Sequence, residues 1–159
     1  MTEWPPITYR GPPIDEARLR ALEETIGATL PDDYRAFMLE YNGGVPEQEV
    51  FTFDKRNKSS VNYFNSIDHE NQALDLMEAW QVLKPRLPKE VFPIGDDNGG
   101  ATIAIVVSGP RRGEVWFCTE ERPTGSNPRV SWLDRRDAWK VADSFAAFMA
   151  RLTPRPKDD

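Results

Sequence analysis

The chain has 159 residues and a formal net charge of −6, from 20 Lys and Arg against 26 Asp and Glu. This length suits one globular domain, and the hydrophobic share of 39% excludes a chain that is disordered throughout. The acidic balance argues against a protein that binds nucleic acid directly, because affinity for phosphates depends on clustered Lys and Arg.

The first residues are rich in proline, which favours extended backbone and prevents helix formation. We interpret residues 1–13 as an extended lead-in, 14–152 as a single domain and 153–159 as a flexible tail. Residues 1–6 lack the basic and apolar segments of a secretion signal. The longest nearly apolar run, 101–107, is far shorter than the roughly 20 residues of a membrane helix. These features predict a cytoplasmic protein that does not enter a membrane.

The first predicted helix begins after Asp15, whose side chain suits an N-cap position. Three apolar residues then recur at three- and four-residue steps and form one stripe, namely Leu19, Leu22 and Ile26. Gly27 suits the left-handed conformation that ends such a helix. The sequence therefore predicts a short amphipathic helix directly after the lead-in.

A second helix is predicted to start at Pro31, because proline is favoured at the first helical position. Asp32 and Asp33 follow in the first turn, where carboxylates interact favourably with the helix dipole. The spacing i, i+3, i+4, i+7 predicts one buried face made of Tyr34, Phe37, Met38 and Tyr41. The run Asn42-Gly43-Gly44 is predicted to end this helix.

Two strands are predicted next, at 50–53 and 61–64, because both segments are rich in β-branched and aromatic residues. A third helix is predicted from a cap at Asp68 to Leu83, with Leu74, Met77 and Trp80 facing inward. Pro85 and Pro88 end it.

Three further strands are predicted at 91–95, 101–107 and 114–119, and the turn 108–113 makes the last two an antiparallel hairpin. Residues 122–128 are predicted to form a loop and 130–133 an edge strand. The last helix is predicted at 144–152, with an inward stripe of Phe145, Phe148, Met149 and Leu152.

Catalytic chemistry has little support in the sequence. Cys118 and His69 are the only thiol and the only imidazole, so neither a disulfide nor a metal site with several such ligands can form within the chain. Cys118 lies in an apolar strand, where burial raises a thiol's pKa and opposes nucleophilic attack. His69 suits a surface or capping role. A thiol hydrolase that uses Cys118 and His69 is a third hypothesis, after the two binding functions given below.

The string from Gly95 to Gly100, GDDNGG, has the oxygen-bearing side chains of a calcium loop. An EF-hand count from Asp96 fails, because it places Gly100 at a ligand position and Val107 where the closing Glu belongs. A polar turn between two strands explains the same residues. The glycines near Arg111 match no phosphate-binding motif. We therefore predict neither a metal nor another cofactor.

The segment from Leu30 to Gly44, LPDDYRAFMLEYNGG, resembles the signature L-P-x-D-Y-x-x-F-L-x-x-x-N-G-G of the SUKH superfamily, which contains the Smi/Knr proteins. Four more blocks are similar to family segments and follow in family order, at 14–27, 92–100, 113–117 and 142–149. The resemblance implies an α+β fold in one domain. Its mostly antiparallel sheet has about five to six strands, packed by N-terminal, middle and C-terminal helices.

The resemblance also implies a function without catalytic residues. Bacterial members are mostly immunity proteins that bind and neutralise polymorphic toxins, many of which are nucleases, whereas fungal members are regulatory scaffolds. The leading hypothesis is a cytoplasmic immunity protein that binds a cognate toxin domain, with a nuclease as one candidate. The alternative is a regulatory or scaffold module that binds an endogenous protein.

A nuclease presents a basic cleft to its polyanionic substrate, so an acidic protein would be steered to it and would place carboxylates where phosphates bind. The candidate partner-binding residues are five carboxylates and one apolar anchor, namely Asp96, Asp97, Glu114, Glu120, Glu121 and Trp116. Two alternatives remain open, namely that the acids are only a solvated surface and that Trp116 packs beneath a helix.

Overall fold

The computed structural model describes residues 4–119 and 138–155. These residues form four α-helices, α1 (Glu16–Ile26), α2 (Asp32–Glu40), α3 (Leu76–Leu83) and α4 (Phe145–Arg151). They also form eight strands, β1 (Ile7–Thr8), β2 (Val45–Pro46), β3 (Val50–Asp54), β4 (Asn57–Phe64), β5 (Val91–Asp97), β6 (Thr102–Val106), β7 (Val115–Cys118) and β8 (Ala138–Ala142). Short 3-10 turns at Gln72–Leu74 and Lys84–Arg86 flank α3.

Strands β3 to β8 form one six-stranded sheet whose spatial order is their order in the chain, with every neighbouring pair antiparallel. The sheet curls, so that the ring centroids of Phe53 on β3 and Trp139 on β8 lie 5.0 Å apart. Strands β1 and β2 form a separate two-stranded pair. The predicted α+β fold with a mostly antiparallel sheet is confirmed.

The main core lies between one face of the sheet and the helices α1, α2 and α4. The apolar stripes predicted from the sequence supply its helical side, because Leu19, Leu22, Phe37, Phe145 and Phe148 are all buried. Phe37 packs its ring at 5.0 Å from Phe145 and 5.6 Å from Phe64. The opposite face of the sheet carries a second, smaller cluster, which consists of Val91, Ala104, Val106, Trp116, Cys118 and Ala138.

The segment that follows α2 is fixed by side-chain hydrogen bonds rather than by regular structure. Asn42, 1% exposed, donates from Nδ2 to the carbonyls of Pro12 and Ile67 and accepts from the Ile67 N–H. Gly43 has φ +86°, and a Cβ there would lie 2.4 Å from the Phe64 carbonyl oxygen. Only glycine fits this close approach to β4.

Two networks of ion pairs connect α1 to the rest of the fold. Arg35 on α2 pairs with Glu16 at 2.5 Å and with Glu23 at 3.0 Å. Glu23 also accepts from the Leu30 N–H at 2.7 Å. Arg18 pairs with Asp68 through two hydrogen bonds of 2.7 and 2.9 Å. The Arg18 guanidinium holds the pKa of Asp68 below its usual value.

The cap predicted at Asp68 for the third helix is wrong. Asp68 has φ +62° and turns the chain toward Arg18. The α-helix begins instead at Leu76, where Asp75 is the N-cap and accepts from the Glu78 N–H. The predicted Asp15 cap is confirmed, and its side chain accepts from the Arg18 N–H. The last helix, predicted from residue 144, begins at Phe145 with Ser144 as its N-cap. Pro31 is the N-cap of α2, so this helix begins one residue later than predicted.

Both chain ends contact the domain where they are described. The ring centroid of Trp4 lies 5.6 Å from that of Phe37 and 5.7 Å from that of Phe145, and Thr153 exchanges two backbone hydrogen bonds with Val50. The domain limits 14–152 stay a prediction. The loop predicted at 122–128 and the strand at 130–133 lie outside the described residues. No helix within residues 4–119 and 138–155 has the length and apolar character needed to cross a bilayer.

Candidate functional site

The structure divides the predicted carboxylate cluster into two places. Asp96 and Asp97 are the last residues of β5, and Asp96 pairs with Thr102, the first residue of β6. Glu114 precedes β7 and lies at the other end of the β6–β7 hairpin, where its carbonyl accepts from the Val106 N–H. Strand β6 therefore separates Glu114 from the two aspartates.

Glu114 already has partners for its charge. Its Oε1 accepts from the Trp116 indole N–H at 3.0 Å and lies 3.7 Å from an Arg111 nitrogen. Its Oε2 lies 3.8 Å from the Lys140 ammonium. Glu114 therefore belongs to a locally balanced cluster of charges, which gives little net attraction for a partner's cation.

Trp116 is 6% exposed and belongs to the second cluster of the sheet, against which Leu87 also packs. Trp116 is packed, as one of the two alternatives predicted, but it packs on the sheet rather than beneath a helix. Its role as an anchor stays a prediction, although its ring presents little surface to a partner. Glu120 and Glu121 lie outside the described residues.

Asp97 holds the turn between β5 and β6. Its Oδ1 accepts from the Gly99 and Ala101 N–H groups at 3.0 and 2.7 Å, and its Oδ2 accepts from the Ser59 hydroxyl at 2.6 Å. A polar turn is therefore confirmed, but it is shorter than predicted because β5 continues through Asp96 and Asp97. Both carboxylate oxygens of Asp97 are engaged inside the protein. Within the described ranges, no group of three His, Cys, Asp or Glu side chains is arranged to hold a metal ion.

Asp96 differs from Asp97, its neighbour in the chain. Among the described residues, its carboxylate accepts one side-chain hydrogen bond, from Asn62 Nδ2 to Oδ1 at 3.2 Å. Burial raises the pKa of Asp96; the Asn62 hydrogen bond lowers it, the nearby Asp97 charge raises it, and a hydrogen bond from the Asp96 backbone N–H lowers it. Asp96 is thus a partly desolvated carboxylate for which the protein supplies little compensation.

Asp96 lines a groove of about 440 Å³ between α3 and the β5–β6 end of the sheet. Its other lining residues are Asn65, Gln72, Ala73, Glu78, Ala79, Val82, Leu83, Pro93, Gly95, Gly100 and Thr102. Val82 is 63% exposed, so the rim of the groove presents an aliphatic side chain to solvent. We call this feature the α3 groove.

The two acids of the α3 groove, Glu78 and Asp96, have no ion pair within the described part of the chain. Lys84, at the end of α3, lies with its ammonium 4.8 Å from the centre of the Trp80 ring, and it does not line the groove. The α3 groove therefore combines uncompensated negative charge with exposed aliphatic surface.

Cys118 and His69 have separate surroundings. Cys118 is 4% exposed within the second cluster of the sheet. His69 packs edge-on against Tyr63, with ring centroids 5.9 Å apart, and its Nδ1 accepts from the Asn71 N–H at 2.9 Å. This local hydrogen bond fits the capping role predicted for His69.

Sequence reasoning missed Glu78 and Val82, although it identified Asp96. Glu78 and Val82 are four residues apart on α3, so they share one helix face. The predicted helix already contained both residues, so their shared face could be predicted, but nothing in the sequence indicated that this face meets the end of β5. The groove itself depends on the packing of α3 against β5, which no local pattern encodes.

Comparison with known proteins supports the resemblance seen in the sequence. No curated protein is significantly similar to this chain. The model of the SMI1 / KNR4 family (SUKH-1) matches residues 13–151. This match includes all four helices and the whole six-stranded sheet. Because the family model matches most of the chain, the chain belongs to the SMI1/KNR4 family (SUKH-1).

Proposed function

We propose that this protein is a non-catalytic binding domain that acts as an immunity protein, neutralising a cognate polymorphic toxin in the cytoplasm by direct contact. Its family is generally non-catalytic and suggests a role in binding proteins. The buried thiol of Cys118 is consistent with such a role, because a nucleophile needs access and a lowered pKa.

One observation carries this proposal, namely the α3 groove with its uncompensated carboxylates and exposed aliphatic rim. Glu16, Glu23, Asp68 and Asp143 pair with Arg or Lys, whereas Glu78 and Asp96 line a groove and have no ion pair among the described residues. Protein interfaces combine an apolar centre with polar groups that a partner completes. The α3 groove has this composition.

The overall charge supports the same proposal. A toxin that cleaves nucleic acid needs a basic surface to hold phosphates. A protein of net charge −6 is attracted to such a surface, and complementary potentials speed association and exclude wrong partners. The association rate is then expected to fall as ionic strength rises.

Co-expression tests the proposal. The chain is produced together with the toxin domain encoded beside its gene, and cell survival and co-purification are scored. We expect survival and a stable complex, whereas an empty vector and an unrelated acidic protein of similar size give neither. Cell death in the presence of abundant, folded protein would contradict the proposal. Capture of an endogenous protein without protection would favour the regulatory module instead.

A further inference from the structure

We infer that the α3 groove receives an arginine side chain of the partner protein, with an aliphatic neighbour of that arginine resting on Val82. This inference rests on the proposed function, since it names the chemistry of the segment that the partner inserts. The groove volume of about 440 Å³ is within the range of about 300–1,000 Å³ for sites that enclose a ligand. It suits one long side chain and part of a neighbour.

The charge requirement comes from Glu78 and Asp96. Both line the groove, and within residues 4–119 and 138–155 neither has a cationic partner. A carboxylate that has lost part of its hydration gains most from a cation that replaces the lost water. Asp96 meets this condition, because it is partly buried and accepts a single side-chain hydrogen bond, from Asn62.

The apolar part of the groove favours arginine over lysine. Ala79, Val82, Leu83 and Pro93 all line it beside the two acids. A guanidinium is planar and weakly hydrated, and it donates to carboxylates in a two-point geometry, whereas a lysine ammonium is compact and strongly hydrated. An arginine therefore loses less hydration beside these aliphatic groups while its N–H groups can still donate to a carboxylate of the groove.

The same aliphatic residues explain why we expect an aliphatic residue beside the arginine of the partner segment. Val82 is 63% exposed in the free protein, and covering it removes apolar surface from water. Long cationic side chains also pack their methylene groups on apolar surface and keep the charged end at a polar group. The expected segment thus pairs an arginine with an adjacent leucine or isoleucine.

A peptide titration monitored by amide NMR tests the inference on the full chain. The probes are acetyl-Leu-Arg-Leu-amide and its citrulline counterpart, which has similar shape and no charge. We expect the arginine peptide to shift amide signals of α3 and the β5–β6 end, with at least about fivefold weaker binding by the citrulline peptide. Equal binding of both peptides, or shifts confined to other surfaces, would overturn the inference.

The double variant Glu78→Gln with Asp96→Asn removes both charges and keeps the side-chain shapes. We expect it to weaken binding of the arginine peptide at least about fivefold, with amide signal dispersion as the check of folding. Glu24→Gln is the matched control, because Glu24 is an exposed helical acid outside the groove. Equal losses in the double variant and the control would contradict a specific role for the groove.

The peptide and co-expression experiments separate the two proposals. Binding of the arginine peptide in the groove without protection from the toxin would keep this inference and reject the immunity function. Full protection by the double variant, with no peptide binding to the native chain, would keep the immunity function and reject the arginine site.

Discussion

The segment from Leu30 to Gly44 and the α3 groove differ in how their polar groups are compensated. In the first region, Asn42 has its side-chain oxygen and nitrogen bonded to backbone, and Arg35 is held by two glutamates. One polar group of this region is not compensated, because the buried Tyr34 hydroxyl lacks a hydrogen-bond partner within the described residues. In the groove, the carboxylates of Glu78 and Asp96 have no ion pair within those same ranges.

This difference separates residues that specify the fold from residues suited to recognition. The signature motif is recognisable because the core and the tight approach to β4 require particular residues, among them Phe37, Asn42 and Gly43. In the groove, Val82 is exposed and Glu78 and Asp96 are half-buried, so packing constrains these three residues less. The first region therefore carries a recognisable part of the family match, whereas the second is the surface that we propose for partner binding.

The largest expected effect is that of Phe37→Ala in the signature segment. Phe37 is fully buried among Trp4, Phe64 and Phe145. Removing its ring leaves a cavity, so we expect the free energy of unfolding to fall by about 3–5 kcal/mol. Urea denaturation measures this loss, and Val82→Ala in the groove provides the contrast, with an expected change within about 0.5 kcal/mol.

Similar losses at Phe37 and Val82 would remove the distinction between the two regions. Leu39→Ala is a further control on α2 itself, because Leu39 is 36% exposed. We expect Leu39→Ala to lower the free energy of unfolding much less than Phe37→Ala does. That result would assign the large effect of Phe37→Ala to burial of its side chain rather than to helix propensity.

An intermediate effect is expected for Asn42→Ala. The substitution leaves the Ile67 N–H without its acceptor and two carbonyls without their donor. A buried polar group that loses its partner costs about 1–3 kcal/mol, and we expect a fall of that order in the free energy of unfolding. Asn98→Ala in the exposed β5–β6 turn is the matched control, and an equal effect there would contradict the structural role of Asn42.

The smallest effects are expected from two aspartates with opposite pKa shifts. The pKa of Asp68 is lowered by Arg18, so its stabilisation is present at neutral pH and is lost as pH falls below about 4. The pKa of Asp96 is raised by burial, so its ionised carboxylate destabilises the folded state at neutral pH, and protonation removes this destabilisation as pH falls. We expect Asp68→Asn to destabilise by about 0.2–1 kcal/mol at pH 7, and Asp96→Asn to stabilise slightly.

Urea denaturation between pH 7 and pH 3.5 checks both signs. The difference in the free energy of unfolding between native chain and variant has opposite signs for the two substitutions at pH 7. For each substitution, we expect this difference to shrink as pH falls. Asparagine retains the shape of aspartate and suits the positive φ of Asp68. A destabilising Asp96→Asn at pH 7 would show that the Asp96 carboxylate is compensated in the free protein.

Local sequence signals predicted most elements of the fold. Asp15 was identified as a cap because a short polar side chain before an apolar stripe satisfies the first N–H groups of a helix. The same rule failed at Asp68, because Asp75 caps the helix instead. Asp68 pairs with Arg18, fifty residues earlier in the chain, and a local rule contains no information about that contact.

The candidate site was only partly predictable for the same reason. Asp96 and Asp97 were both expected in one polar turn, yet β5 continues through both. The turn bonds of Asp97 and the exposure of Asp96 to the groove follow from how β5 meets β4, β6 and α3. Residue type indicated that these acids matter, but the tertiary arrangement determines which of them is available.

The contact between α2 and α4 has a consequence for synthesis of the chain. Asp33 accepts the Ala146 N–H from a position 113 residues away, and Phe37 packs on Phe145. On the ribosome, the signature segment emerges long before its covering helix. A message cut short before residue 145 would therefore yield a product that lacks the Phe145 contacts of Tyr34 and Phe37, a species prone to aggregate or to be degraded.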